Sequence, residues 1–348
     1  MSHQTTEHKM TEETKMDQPS GGASKPEGSK ARFDGNQVLN LLLRNLMVLV
    51  VVSVAVYFSI VRPQFATLPN MATILIAAAP FALIALGQTL VILTGGIVLS
   101  VGSVVALSAM SSAALCVGHP ERMWLAAGVG VLVGLTAGLV SGVVVAYVNV
   151  APFVATLGML SVASGLAYAI GNGAPINGLP TEWAQIASTK VLGLQAPVLV
   201  MIAGFLILAV VMTRTSFGMR IYAVGGNRTA AEVAGVNARW ILTSVYAISG
   251  ALAGMSGVIL SSRVISAAPY LGKGYELNAI AAVVIGGASL KGGRGTIWGT
   301  LLGLLLIQTL NNGLDILVVP SYWQTVISGS LIVSAVAVDM LATRRTSQ

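Results

Sequence analysis

The chain has 348 residues, of which 55% are hydrophobic and 9% charged, with a mean hydropathy of +0.83. Those proportions exclude a water-soluble surface and define an integral membrane protein. The formal charge of +7 does not point to nucleic acid, because the surplus sits in short loops between apolar runs, where membrane topology accounts for it.

Residues 1–36 are rich in Ser, Thr, Gly, Lys and Glu and poor in large apolar side chains, so they cannot bury enough surface to offset ordering entropy. They are predicted to form a disordered cytoplasmic tail. The first apolar run begins near Val38, too late for a cleavable signal, and is predicted to be an anchor. About 20 apolar residues cross the hydrocarbon core. On that scale the transmembrane region, 37–342, divides into ten spans near 38–61, 71–93, 99–118, 123–147, 152–171, 197–213, 240–262, 277–290, 296–314 and 321–341. Two of these, 99–118 and 277–290, are entered through glycine-rich stretches and read as broken or re-entrant helices, so eight to eleven spans stay open. Residues 343–348 form a short cytoplasmic tail.

Fourteen of the nineteen Lys and Arg residues fall on the tail side of this topology, which puts both termini in the cytoplasm and the 172–196 loop outside. Span four carries Gly130, Gly134, Gly138 and Gly142, and span nine carries Gly295, Gly299 and Gly303. Stripes of small residues let helices approach closely. Their five-span separation predicts an inverted internal repeat of the kind that surrounds a transport pathway. The fold class is thus an all-α polytopic membrane protein of about ten helices.

Several chemistries are excluded. There is no Gly-x-x-x-x-Gly-Lys-[Ser/Thr] phosphate loop, no Gly-x-Ser-x-Gly turn, and only one histidine outside the tail, His119. The lone Cys116 allows no intrachain disulfide. Outside the N-terminal tail, Asp339 lies near the C-terminal end, and Glu121, Glu182, Glu232, Glu276 and Asp315 fall at span ends or in loops, so no ion relay lies clearly mid-span. Energy is expected from a partner, and no cofactor or metal is expected in this chain.

The cytoplasmic 214–240 loop holds four arginines against Glu232 and is the expected docking segment. Within it a short helix over Thr229 to Val236, with Gly225, Gly226 and Asn227 before it and Gly235 at its end, is predicted to present Ala230, Ala231, Val233 and Ala234 to a groove. A translocation path needs polar groups on apolar spans, and the candidates are Gln88, Thr94, Ser100, Ser103, Asn278, Gln308, Asn311 and Asn312. Each taken singly fits a helix-to-helix hydrogen bond as well as a solute contact. Three function classes remain open: an ATP-driven importer subunit, a self-sufficient secondary carrier, and a membrane scaffold.

The segments RPQFATLPNMATIL (62–75), LVILTGGIVLSVGSVVAL (90–107), ATLGMLSVASGLAY (155–168), FGMRIYAVGGNRTAAEVAGVN (217–237), GYELNAIAAVVIGGASLKGG (274–293) and GTLLGLLLIQTLNNGL (299–314) resemble the permease subunits of ribose-type ABC sugar importers, in order from about Val38 to Leu341. That resemblance implies a paired permease, either a second copy or a paralogue, in the bacterial cytoplasmic membrane. It also implies an extracytoplasmic sugar-binding protein and a cytoplasmic ATPase that holds the ATP and Mg. The segment Gly225, Gly226, Asn227, Ala230, Ala231, Glu232 and Gly235 then corresponds to the ATPase-coupling element. The chain departs from the family pattern at Val98 and Asn278, where acids are common, and near Ser164, where an arginine is common. Loss of both signs fits a charge cluster removed as a unit, and neutral drift at predicted span boundaries, where all three lie, fits it equally.

Overall fold

The computed structural model describes residues 46–330, apart from 192, and residues 333–334. The predicted tails and the start of the first span lie outside the described residues. The elements in order are α1 (Leu46–Val61), a 3-10 turn (Pro63–Ala66), α2 (Leu68–Leu93), α3 (Val101–Cys116), a second 3-10 turn (Pro120–Arg122), α4 (Met123–Tyr147) and α5 (Pro152–Ile170). Next come α6 (Thr181–Ser188), the two-residue strands β1 (Lys190–Val191) and β2 (Leu194–Gln195), α7 (Ala196–Arg214), α8 (Ser216–Gly226) and α9 (Arg228–Val233). Then α10 (Ala238–Val264), α11 (Tyr275–Ile285) and α12 (Ile297–Ile316) follow, and residues 321–330 are again helical. Six helices are long and apolar enough to cross a membrane, and three more, α1, α3 and α11, are apolar but shorter. The tenth predicted span, 321–341, lies partly outside the described residues.

The glycine stripe of α4 makes the most extensive seam in the fold, against α10. A Cβ on Gly134 would lie 2.7 Å from Gly254 Cα and overlap the Gly250 carbonyl. One on Gly138 would lie 2.9 Å from Gly250 Cα, and one on Gly142 2.9 Å from Thr243 Cα. Backbone therefore touches backbone along this seam, which only residues without a side chain allow. The stripe of α12 behaves differently. Gly295 precedes the helix at φ 145, and Gly299 and Gly303 pack on Gly286 and Ala282 at the end of α11. The two stripes, matched in sequence, thus bury against non-equivalent partners.

Two groups of loops define the ends of the bundle. At one end the 171–195 segment lies with the turn after α10: Ile176 and Ala267 form an antiparallel bridge, Trp183 Nε1 donates to Ser261 Oγ at 3.3 Å, and Ala187 N donates to Ser262 Oγ at 3.0 Å. Trp183 is fully buried there, so the predicted external loop contains a packed helix, α6, that its mixed composition concealed. At the other end, Gly225 of α8 lies against the Leu93 carbonyl and Gly293 N, and Tyr222 donates its hydroxyl to the Gly295 carbonyl at 2.9 Å. Burial raises the Tyr222 phenol above its ordinary value and keeps it a donor.

Helices at this second end start with side-chain caps. Thr215, Asn227, Asn237 and Thr296 each accept from the backbone N–H three residues on, at 3.0 to 3.3 Å. These caps satisfy donors that a helix start leaves free, each contributing about 1 kcal/mol. The 214–240 region consequently holds two capped helices, the second of which, α9, the sequence predicted and the first of which, α8, it did not.

One polar clasp ties α2 to α12. Asn70 and Asn312 exchange reciprocal amide hydrogen bonds of 2.9 and 3.0 Å, and Asn70 also donates to the Phe65 carbonyl at 2.9 Å. Asn312 is thereby a helix-to-helix contact. Replacing either amide by Ala should destabilise the protein, and a double-mutant cycle should return a coupling of about 1 kcal/mol, within the range for interhelical hydrogen bonds in membranes. Additive single effects, measured by unfolding in detergent, would show that the clasp contributes nothing.

Candidate translocation site

The site is built by two helices too short to span. At 1.5 Å per residue, α3 covers about 24 Å and α11 about 17 Å, against a core of about 30 Å. Segment 94–100 carries the chain inward from the α8–α9 end before α3 starts. Segment 265–274 does the same from the opposite end before α11 starts. That second segment is set by unusual backbone: Ile265 sits at φ 51, a position costing about 1–3 kcal/mol for a β-branched residue, and Gly272 and Gly274 take φ 90 and 88. The glycines Gly95 (φ 80), Gly272 and Gly274 supply turns that other residues resist.

The starts of α3 and α11 meet. Gly102, in the first turn of α3, lies against the Gly272 carbonyl and the Glu276 carboxylate, both so close that a Cβ on Gly102 would collide with them. Beside this junction is a cavity of about 230 Å³ lined by Gly102 and Ser103 of α3, Leu160, Ser164 and Tyr168 of α5, Pro269, Tyr270, Leu271 and Lys273 of the re-entrant segment, and Glu276 of α11. Glu276 is half-buried, and its Oε1 accepts from Gly274 N at 3.2 Å. Ser103 donates its hydroxyl to the Ser100 carbonyl at 2.9 Å. Hydroxyls, a carboxylate and aromatic rings around a cavity of this size suit a small polyhydroxylated solute.

A second cavity of about 190 Å³ opens at the α8–α9 end, lined among others by Thr94, Gly95, Gly96, Asn149, Arg228 and Tyr246. Between the two lies a void of about 10 Å³, room for roughly one water, bounded by Val98, Ser100, Ser141, Tyr246 and Ser249. Tyr246 OH and Ser249 Oγ are buried there without a protein partner.

The sequence-derived candidates distribute unevenly over this arrangement. Ser103 lines the cavity at the α3–α11 junction, Ser100 lines the narrow void, and Thr94 lines the second cavity, its hydroxyl donating to the Val91 carbonyl at 2.7 Å. Gln88 is fully buried, with its amide placed to pair the backbone N–H and C=O of Val98 at 3.2 and 3.3 Å, and so pins the start of the 97–100 segment. Asn278 is half-buried one turn beyond the α11 start, and Gln308 and Asn311 are half-buried on α12. None of these three lines the cavities described. Sequence reasoning missed Glu276, Lys273 and Tyr168, because a carboxylate at a helix end reads as solvated until the end itself proves to lie inside the bundle. The signal was the pair Gly272 and Gly274 just before it.

In the expected docking segment the structure shifts the boundaries. Gly225 and Gly226 close α8, Asn227 caps α9, and α9 spans Arg228–Val233, so Val236 lies outside it. Val236 N donates to the Ala231 carbonyl at 2.9 Å around Gly235 at φ 84, a glycine-terminated helix end. Ala230, Glu232, Val233 and Ala234 are exposed, and Arg228 Nε donates to Glu232 Oε1 at 3.1 Å. Ala231, expected on the presented face, is instead buried against the body at 5% exposure.

Val98 and Ser164 line different cavities, and Asn278 lines neither. The charge-cluster expectation therefore has no geometric support at these positions. Val98→Asp, with Val98 at 5% exposure, should cost several kcal/mol as an unpaired buried charge. Adding Ser164→Arg should not restore it, since the nearest carboxylate to Ser164 in its cavity is Glu276. Folding yield and melting of the single and double variants measure this, and a favourable coupling would reinstate the cluster.

A helical bundle in which two half-length helices start side by side at a cavity lined by hydroxyls and a carboxylate among apolar groups has the build of a membrane transport protein. Residues 70–336 match the family described as "Branched-chain amino acid transport system / permease component", and the chain belongs to that family. It is 42% identical over 316 residues to the ribose import permease protein of Bacillus subtilis (strain 168), covering 90% of this chain and 96% of that one. It is 36% identical to the D-allose transport system permease protein of Escherichia coli (strain K12), over 84% of this chain and 89% of that one. To the galactose/methyl galactoside import permease protein of Haemophilus influenzae it is 34% identical, over 89% and 97%. No solved structure matches the chain.

Proposed function

We propose that this chain is the transmembrane permease subunit of an ATP-driven ABC importer, translocating a monosaccharide delivered by an extracytoplasmic binding protein. The observation that carries this reading is the 42% identity, over 90% of the chain, to a ribose import permease; the cavity at the α3–α11 junction is where a sugar would pass. The chain is not itself an enzyme: ATP and Mg belong to a cytoplasmic ATPase partner that engages α9.

Ten spans related by an inverted repeat fit the packing. α10 packs on α3 and α4, while α2 packs on α11 and α12, so each half embraces the broken helix of the other. The arginine-rich α8–α9 end is the cytoplasmic one, and both termini lie on that side of the bacterial cytoplasmic membrane. A second permease copy or paralogue completes the pore. In support, α5 contributes Leu160, Ser164 and Tyr168 to the cavity yet has only 17% of its apolar window buried, the least among the six long helices.

The test is uptake by proteoliposomes containing the permease, its ATPase and its binding protein. Neutral monosaccharide should accumulate only with ATP and the binding protein present. Accumulation by the purified chain alone under a proton or sodium gradient would overturn the reading in favour of a carrier.

A further inference from the structure

The α3–α11 junction has an electrostatic character that the importer reading does not by itself supply. The starts of two helices converge there, and each carries unsatisfied N–H groups and a partial positive charge. Left open, such a point attracts anions. It is occupied instead by a carboxylate of the chain: one oxygen of Glu276 accepts from Gly274 N at 3.2 Å, and the other lies against Gly102 at the start of α3. The same carboxylate faces the cavity. The only other charged group lining it is Lys273, which is exposed and, among the described residues, makes no ion pair with Glu276. The remaining polar lining is hydroxyl, from Ser103, Ser164, Tyr168 and Tyr270.

Resting on the importer reading, we infer that Glu276 is the charge-selectivity residue of the permease. It neutralises both helix starts, repels anionic solutes such as sugar phosphates and sugar acids, and accepts hydrogen bonds from the hydroxyls of neutral sugars. A carboxylate is suited to all three tasks because it is acceptor-only when ionised, and its attraction to N–H groups is charge-assisted.

The experiment titrates sulfate, as a compact anion, into the full-length permease in nanodiscs, by calorimetry. Wild type should show no saturable binding at millimolar sulfate. Glu276→Gln, which keeps the size and a hydrogen-bond acceptor but removes the charge, should bind sulfate at least about 10-fold more tightly, since the two helix starts are then uncompensated. Glu276→Asp should retain exclusion. A folded, monodisperse Glu276→Gln protein no more receptive to sulfate than wild type would overturn the assignment, as would saturable sulfate binding by wild type. Should Glu276→Gln fail to fold, Glu276→Ala removes the same charge and should confer the same binding; its indifference to sulfate would overturn the assignment equally. Neutral-sugar uptake by the wild-type importer is measured in parallel. Its failure would remove the importer reading, whereas the sulfate titration decides on Glu276 alone.

Discussion

Val233→Glu is expected to abolish ATP-driven uptake, a loss of at least about 10-fold, while leaving the chain folded and inserted. Val233 ends α9 with 86% of its surface exposed, at the end of the bundle assigned to the cytoplasm. An apolar side chain held out in water on a capped, rigid helix is suited to insertion into an apolar groove of a partner. A charge there would be desolvated in the groove, and a buried unpaired charge costs several kcal/mol. Because Val233 is so exposed, the chain's own stability should change by no more than about 0.5 kcal/mol. Co-purification of the ATPase and uptake in proteoliposomes measure the effect. Normal uptake by Val233→Glu would remove α9 as the coupling element. Ala231→Glu is a poorer probe, since Ala231 is buried and the change would report on folding. Gly235→Glu is poorer again, since any side chain at φ 84 is strained.

Gly134→Leu should cost about 3 kcal/mol of stability, the upper end of overpacking costs. The upper end applies because what a side chain would meet is the backbone of Gly250 and Gly254 in α10, which cannot rotate out of the way as a side chain would. The seam would have to open along its length. Gly128→Leu is the internal control. It lies nearer the start of the same helix, and a Cβ there would meet nothing within 4 Å, so the change should leave melting in detergent nearly unaltered. Equal melting of the two variants would mean that α4 and α10 are not held in contact as described.

The positions of the helices followed from apolar run length, because a bilayer core fixes how many apolar residues a crossing needs. Spans near 71–93, 123–147, 152–171, 197–213 and 240–262 correspond to α2, α4, α5, α7 and α10 within a few residues. The glycine-rich entries to 99–118 and 277–290 also announced α3 and α11 as broken helices, since glycines at such entries allow the turns that full helices forbid. The short helix expected over Thr229 to Val236 appears as α9, shifted by its Asn227 cap, whereas α8, capped by Thr215, was read as loop.

What each polar residue does was not legible in the same way. Asn312 and Gln88 look equivalent in sequence, both amides on apolar spans. One is used by Asn70 across the α2–α12 contact, the other by the backbone of Val98. Ala231 and Val233 are near neighbours on a six-residue helix, and only the orientation of that helix against the body decides that one is buried and the other exposed.

The chain by itself determined that this is a multi-pass membrane protein and, within a few residues, where α2, α4, α5, α7 and α10 lie, because those properties depend on local composition and the thickness of hydrocarbon. The tertiary structure alone decided that Gly102 and Glu276, 174 positions apart in the sequence, meet at one cavity. It alone decided that two glycine stripes of similar spacing close on different helices. Both depend on which surfaces come together once the helices pack, and a period read along one chain carries no information about the partner it will face.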